Sequence, residues 1–203
     1  MENTSLTASK NCNLSVGCLI ATTISIILGS QESMMQEIFE RKKSPFYHFG
    51  LLMRLSKIPY SDFHLYITQR LSTVMGSACE ATADEILSFT NLHPYYTQQL
   101  ASQVWELAYY EKARGNLVER AIEKLTLSHD LDFERLWVNF NRMDKRIVIA
   151  LCSGKNPLQD RMIATSTAYS SIKRLIKKGF VIQTDHYEME DPFFARWIQR
   201  NVL

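Results

Sequence analysis

The stretch TSTAYSSIKRLIKKGFVIQTDHYEMEDPFFARWIQRNVL, residues 165–203, decides the fold that this sequence predicts. Its first part carries apolar residues at helical spacing on one face, namely Ala168, Ile172, Leu175 and Ile176. Thr165 or Ser166 can cap this helix at its start. Gly179 follows two lysines and lies where a left-handed residue commonly ends a helix.

Two short strands and a final helix follow this glycine. Residues 180–182 and the alternating segment 186–190 predict strands, with a turn at Thr184-Asp185 between them. Pro192 then begins a helix with an inward apolar face, made of Phe193, Phe194, Trp197 and Ile198. A basic helix followed by a two-stranded wing is the arrangement of a winged helix-turn-helix. Such a unit binds nucleic acid or packs on a partner domain.

The polar face of the predicted basic helix is the candidate nucleic-acid-binding surface. Its members are Ser170, Lys173, Arg174, Lys177 and Lys178. Basic side chains can neutralise phosphates and make binding salt-dependent. A solvated helix face whose lysines complement the helix dipole is the alternative. The wing favours docking on a protein, because it carries acids that would repel a phosphate backbone: Asp185, Glu188, Glu190 and Asp191.

Composition places the chain among ordinary globular proteins. It has 203 residues, 46% of them hydrophobic, and a formal net charge of +2. The charge is uneven, since residues 129–203 hold 12 Lys+Arg against nine Asp+Glu. This distribution is compatible with nucleic acid as a partner without requiring it.

The N-terminal part contains a mostly apolar run at residues 14–28. The run could be the core of a signal peptide, but it is short for a membrane span, which needs about 20 residues. Residues 24–28, ending at Gly29, predict a buried strand instead. The four cysteines are scattered without a CxxC pair, which favours a reduced, cytoplasmic location. We expect no membrane partner.

The rest of the chain is predicted to be helical. Ser30 can cap a helix that runs to about Arg41, and Ser61 begins a fully helical region. Residues 82–85 read as a capping box, and Pro94 lies at the first turn of a long helix through Arg114. The aromatic residues of this long helix, at 95–96 and 105–110, are expected to be core, although an aromatic binding platform is the alternative.

Motifs of the common catalytic sites are missing from these 203 residues. The seven glycines never make GxxxxGK[ST], and GxSxG, HExxH and GxGxxG are missing as well. The five histidines and four cysteines show no metal-ligand spacing, so no metal site is predicted.

Three motifs resemble one family. IILGSQESMM at residues 26–35, followed by SPFY at 44–47, is similar to the last core strand and following helix of the archaeal-type P-loop ATPases, of the AAA+/STAND group. HPYYTQQ at residues 93–99 resembles the start of a lid helix in that family. YEMEDPFFARWI at 187–198 resembles the C-terminal signature of its winged helix. The motifs occur in family order and cover roughly residues 24–200.

The resemblance implies a mainly α fold in which a remnant of an α/β P-loop core leads into a helical lid and a winged helix. The implied bounds are an unmatched tail at 1–23, the end of the core at 24–58, the lid at 59–128 and the winged helix at 129–203. It also implies that the position near Ser30 senses the γ-phosphate and that Pro94 lies near the adenine. The plain alternatives are a helix cap for Ser30 and a first-turn proline for Pro94. The glycine that precedes this proline in the family is Leu92 here.

The family uses ATP and magnesium, but its phosphate loop and acidic magnesium strand have no match in this sequence. Phosphoryl transfer depends on positioning and electrostatics around the phosphates. We therefore expect no cofactor and no ATP hydrolysis for this chain alone. The expected role is that of a remnant or regulatory half that acts with a nucleotide-binding core or another protein domain. The alternatives are a standalone winged-helix protein that binds DNA and an active ATPase whose start codon is misassigned.

Overall fold

The computed structural model describes residues 32–47, 49–50, 53, 58–112, 115–159 and 164–203. Over these residues the protein is mainly helical, as the sequence predicts. The chain divides into two units, Met1–Leu52 and Met53–Leu203. The predicted strand at residues 24–29, the tail before it and Ser30 lie outside the described residues.

The first unit contributes one described helix, α1 (Glu32–Phe39). It ends close to the predicted bound at Arg41, and Arg41 donates to Glu37 one turn earlier at 3.0 Å. Phe46 follows in a turn and contacts Phe39 and Phe49, with ring centroids 6.1 and 5.8 Å apart. These aromatic contacts fold the segment after α1 back on the helix.

Four helices at the start of the second unit form a bundle: α2 (Tyr60–Met75), α3 (Cys79–Thr90), α4 (Pro94–Tyr109) and α5 (Leu117–Ser128). Each helix buries the apolar residues of one face, as the helical spacing predicts. Leu71, Ile86, Leu100 and Ala121 are fully buried, one from each helix. The bundle therefore has a continuous apolar interior.

In the C-terminal part of the same unit, the described residues form four more α-helices, a 3-10 turn at Pro157–Gln159 and a hairpin. The helices are α6 (Asp130–Val138), α7 (Arg142–Cys152), α8 (Thr165–Lys177) and α9 (Pro192–Asn201). Between α8 and α9, strands β1 (Val181–Gln183) and β2 (Tyr187–Met189) pair antiparallel, with Ile182 opposite Glu188. The predicted order of helix, hairpin and helix is confirmed.

The end of α8 fixes where the hairpin begins. Gly179 has φ 76°, in the left-handed region that glycine adopts without strain. Its N–H donates to the carbonyl of Ile176 at 2.9 Å, and the N–H of Phe180 donates to Leu175 at 3.0 Å. These two bonds make a Schellman motif, which satisfies carbonyls that the helix leaves open. The chain is thereby turned directly from α8 into β1.

Several predicted helix starts are wrong. Helix α2 begins at Tyr60 after Pro59, so Ser61 is not its cap. Residues 82–85 lie inside α3, and Thr82 bonds back to the carbonyl of Ala78 instead of capping. Helix α8 follows Ala164 without a side-chain cap. Serine and threonine also occur inside helices, where the hydroxyl can bond the preceding turn, so residue type alone misplaces these starts.

Three tyrosines in and just after α4 are exposed, although the sequence pattern predicts them to be core. Tyr96 and Trp105 are half-buried and pack against the core, but Tyr95, Tyr109 and Tyr110 are exposed. The three exposed rings therefore do not belong to the core. Helix α4 also ends at Tyr109, five residues before the predicted end.

Candidate functional site

The outer face of α8 presents most of the predicted nucleic-acid-binding residues together. Ala168, Ile172 and Leu175 are buried on its inner face. The opposite side exposes Ser170, Lys173, Lys177 and Lys178. Lys173 also lies over the ring of Tyr169, 4.6 Å from its centroid, which orients the ammonium group along the helix surface. The predicted surface is thus continuous over the last two turns of α8.

Arg174 has a different role from its neighbours. Its Nη2 donates to Oδ1 of Asp144 at 2.6 Å and its Nε donates to Oδ2 at 3.2 Å, so the pair is bidentate. Nη2 also donates to the hydroxyl of Ser171 at 2.9 Å. Asp144 is 2% exposed, and a carboxylate so deeply buried requires a cation beside it. Arg174 therefore joins α8 to α7. Because its guanidinium is bound to Asp144, it is less available to a phosphate than the neighbouring lysines are.

The sequence carries a signal for Asp144 that the prediction missed. Asp144, Ile147, Val148 and Cys152 are the buried residues of α7, and all four share its apolar spacing. An acid at one of the apolar positions of a helix is buried with them, so it needs a partner from the facing helix. That signal points to a basic residue of α8.

Two acids of the hairpin, Glu188 and Glu190, are engaged with the protein itself, while Asp185 is exposed. Glu188 accepts hydrogen bonds from the amide of Asn91, in the turn between α3 and α4, and from the hydroxyl of Thr184. Glu190 is half-buried, and its burial and its proximity to Asp191 raise the pKa of its carboxyl. Glu188 thus connects the hairpin to the turn that precedes α4.

Asp191 connects the hairpin to α9. Its Oδ1 accepts from the N–H groups of Phe193 at 2.8 Å and Phe194 at 3.1 Å, which caps the helix. Burial raises the pKa of this carboxyl, while the two N–H bonds and the nearby His129 and His93 lower it, with the raising effect larger.

The two phenylalanines after this cap join the bundle to the C-terminal part. Both are 1% exposed. Phe193 contacts Phe89 of α3 at 5.4 Å and Tyr96 of α4 at 6.1 Å between ring centroids. Phe194 contacts Phe133 of α6 at 5.2 Å. Burial and the nearby carboxylates, first that of Asp191, raise the pKa of Tyr96, so its phenol stays neutral.

The residues singled out by family resemblance are only partly described. Pro94 occupies the first turn of α4 and is exposed. Leu92, two residues before it, has φ 59°, and Asn91 has φ 49°. Ser30 lies outside the described residues.

The described residues contain neither a metal-binding cluster nor a membrane-spanning helix. In the described part of the chain, no group of three or more His, Cys, Asp or Glu could hold a metal ion. Over the same residues, no helix combines the length and the apolar character needed to cross a membrane. No protein-family model, curated protein or solved structure matches the chain.

Removing the cation of the buried ion pair should destabilise the protein. Arg174→Met leaves the carboxylate of Asp144 buried without its partner, and we expect the free energy of unfolding to fall by about 2 kcal/mol. This loss is smaller than for a fully buried pair, because the Arg174 side chain is 40% exposed. Urea unfolding measures it, and Asp144→Asn in the same chain should recover part of the loss.

Arg135→Met is the matched control for this measurement. Arg135 pairs with Asp132 at 3.4 Å on the surface, with both side chains more than half exposed. Its loss should change the unfolding free energy by less than about 0.5 kcal/mol. Equal effects of the two arginine variants would contradict the structural role given to Arg174.

Asp191→Asn should change how stability depends on pH. The carboxyl pKa of Asp191 is raised in the folded state, so its contribution is favourable at low pH and is lost as the pH rises through that pKa. Asparagine keeps the cap and cannot ionise. The variant should match the wild type at about pH 3, below the pKa of an unfolded aspartate, and gain stability relative to it by about pH 7, as measured by urea unfolding. Asp191→Ala, which loses the cap, should cost about 1 kcal/mol. The prediction is contradicted if Asp191→Asn is no more stable than the wild type at neutral pH.

Proposed function

We propose that this chain is the lid and winged-helix half of an archaeal-type P-loop ATPase, a non-catalytic, regulatory module that works with a nucleotide-binding core. The backbone at Leu92 carries the proposal. Its φ of 59° is a conformation that glycine adopts readily and leucine rarely does. The resemblance places a glycine at this position, two residues before the proline that begins a lid helix. The local geometry therefore agrees with a feature of the family that the sequence itself has lost.

The C-terminal signature gives a second line of support. The residues that resemble the end of the family's winged helix include Asp191, Phe193 and Phe194, which cap α9 and join it to the bundle. A winged helix that packs on its neighbouring lid in this way suits regulation within the protein. In this proposal α2–α5 are the lid, and α6–α9 with the hairpin are the winged helix.

The proposed module would depend on its partner for chemistry. ATP and magnesium would be held by the nucleotide-binding core, and this chain would contribute Ser30 near the γ-phosphate and Pro94 near the adenine. The described cysteines, Cys79 and Cys152, are free thiols, which supports a reduced, cytoplasmic setting for the proposed complex.

The purified chain should release no phosphate from ATP above the blank. The physical reason is that no phosphate loop or magnesium-site acid occurs in its 203 residues. A malachite-green assay with magnesium and ATP measures this, with an intact archaeal-type ATPase as the positive control. Clear turnover would overturn the non-catalytic role. A phosphate-loop reading frame in the DNA directly upstream of the Met1 codon would favour the active ATPase with a misassigned start.

A second candidate function, DNA binding by the winged helix, is favoured by the charge around α7 and α8. Residues 142–178 contain nine Lys+Arg and two Asp+Glu, a net charge of +7, whereas the whole chain carries +2. One of the two acids, Asp144, is buried and paired with Arg174. The exposed cations Lys173, Lys177 and Lys178 therefore have little negative charge near them in sequence, which suits contacts with phosphates.

Lys173→Ala combined with Lys177→Ala should weaken binding to random duplex DNA. Each phosphate contact that is lost removes counterion release, so the variant should also show a shallower dependence of affinity on salt. A gel-shift titration at two salt concentrations measures both effects. Lys42→Ala with Lys43→Ala is the matched control, because these lysines are exposed and belong to the other unit. If the wild-type chain does not retard the DNA in the gel at low salt, this function is eliminated.

A further inference from the structure

Helix α4 exposes a face with an unusual composition. Glu106 is the only charged residue among its 16 residues, which include three glutamines and four aromatic side chains. Tyr95 and Tyr109 are 63% and 53% exposed. The exposed face of a solvated helix normally carries several charges. Protein interfaces, in contrast, are depleted in charge and enriched in tyrosine and tryptophan.

The exposed positions of α4 form a symmetric pattern. Besides Pro94 at the start of the helix, they are Tyr95, Gln98, Ser102, Glu106 and Tyr109, with spacings of 3, 4, 4 and 3. From either end of the stripe, the order is a tyrosine, then Gln98 or Glu106, and then Ser102 at the centre. Glutamine and glutamate have polar side chains of the same length. A two-fold axis through Ser102 would therefore place Tyr95 opposite Tyr109 and Gln98 opposite Glu106. These are the pairings of two identical antiparallel helices.

We propose that this stripe is the interface through which two copies of the chain associate, with α4 antiparallel to α4 of the partner copy. An interface with two-fold symmetry requires that each residue meet its own symmetry counterpart or exchange partners with another residue of the same stripe. The pattern about Ser102 meets that requirement. The small side chain at the axis lets the two helices approach to the usual 8–10 Å between axes.

The surface beside the stripe is shaped to receive side chains. A groove of about 430 Å³ runs along α4, and Tyr95, Gln98, Ser102 and Glu106 line it together with Leu125 of α5. At the other end of the helix, Tyr109 stacks on Trp105 at 4.7 Å between centroids. The antiparallel arrangement brings this aromatic end of one copy to the groove of the other.

Charge complementarity favours a second copy over an unrelated partner. A strongly charged face would repel its own copy, but here each glutamate meets a glutamine. Gln103 donates to Oε2 of Glu106 at 3.2 Å, which leaves the other carboxylate oxygen for the amide of Gln98 across the axis. An amide side chain both donates and accepts, so it suits a surface that pairs with itself.

Sedimentation equilibrium of the full chain tests the proposal. From about 1 to about 100 µM, the mass should rise from 23.5 kDa toward twice that value. Ser102→Arg sets two like charges against each other at the axis and should raise the dimer dissociation constant at least about tenfold. Ser72→Arg, on an exposed position of α2, is the matched control and should leave it unchanged. Circular dichroism confirms that each variant keeps its helices.

A charge exchange tests the register. Gln98→Glu sets a glutamate against Glu106 of the partner copy and should weaken association. Adding Glu106→Gln restores one acid and one amide at each end and should recover the affinity. A wild-type chain that stays monomeric at about 100 µM would overturn the proposal. Equal dissociation constants for Ser102→Arg and Ser72→Arg would also overturn it. The same holds if the double variant associates no more tightly than Gln98→Glu alone.

Discussion

The packing of Phe193 and Phe194 under the Asp191 cap is the contact on which the second unit depends. Asp191 holds the first turn of α9 by accepting two backbone N–H bonds, and the two rings of that turn have different neighbours. Phe193 meets the helices α3 and α4, while Phe194 meets α6. These three residues thus join the bundle to the C-terminal helices, and the cost of burying the carboxylate is offset by the apolar area that the rings remove from water.

The charged side chains of the second unit are engaged to different degrees. Glu188 of the hairpin is bonded by Asn91 of the bundle, while the lysines of α8 lie on the outside. Arg174 is bound to the buried Asp144, so not every cation of α8 is available to a ligand. The lysine surface of α8 is therefore separate in sequence from the stripe on α4, whereas Pro94 lies directly beside Tyr95 at one end of that stripe.

From the end of α8 onward, the sequence predicts the course of the C-terminal segment within a residue or two, because the boundaries there have strong local causes. Gly179 takes a left-handed conformation, and Asp191-Pro192 combines a cap with a first-turn proline. The helix starts at Ser61, Thr82 and Thr165 were misplaced because hydroxyl residues are only weak boundary signals. The exposure of Tyr95 and Tyr109 was missed because an aromatic pattern does not reveal which face of a helix meets the core. The role of Arg174 was missed because its partner lies 30 residues away, and the signal for that partner is the acid that shares the apolar spacing of α7.

The bond between Asn91 and Glu188 joins residues that are 97 positions apart in the chain. One end lies in the turn that leads to Pro94, and the other lies in strand β2. The bond thus links the loop before α4 to the hairpin in space, although the two are far apart in sequence. Thermodynamic coupling is reciprocal, so whatever this bond transmits from the turn to the hairpin it transmits equally from the hairpin to the turn.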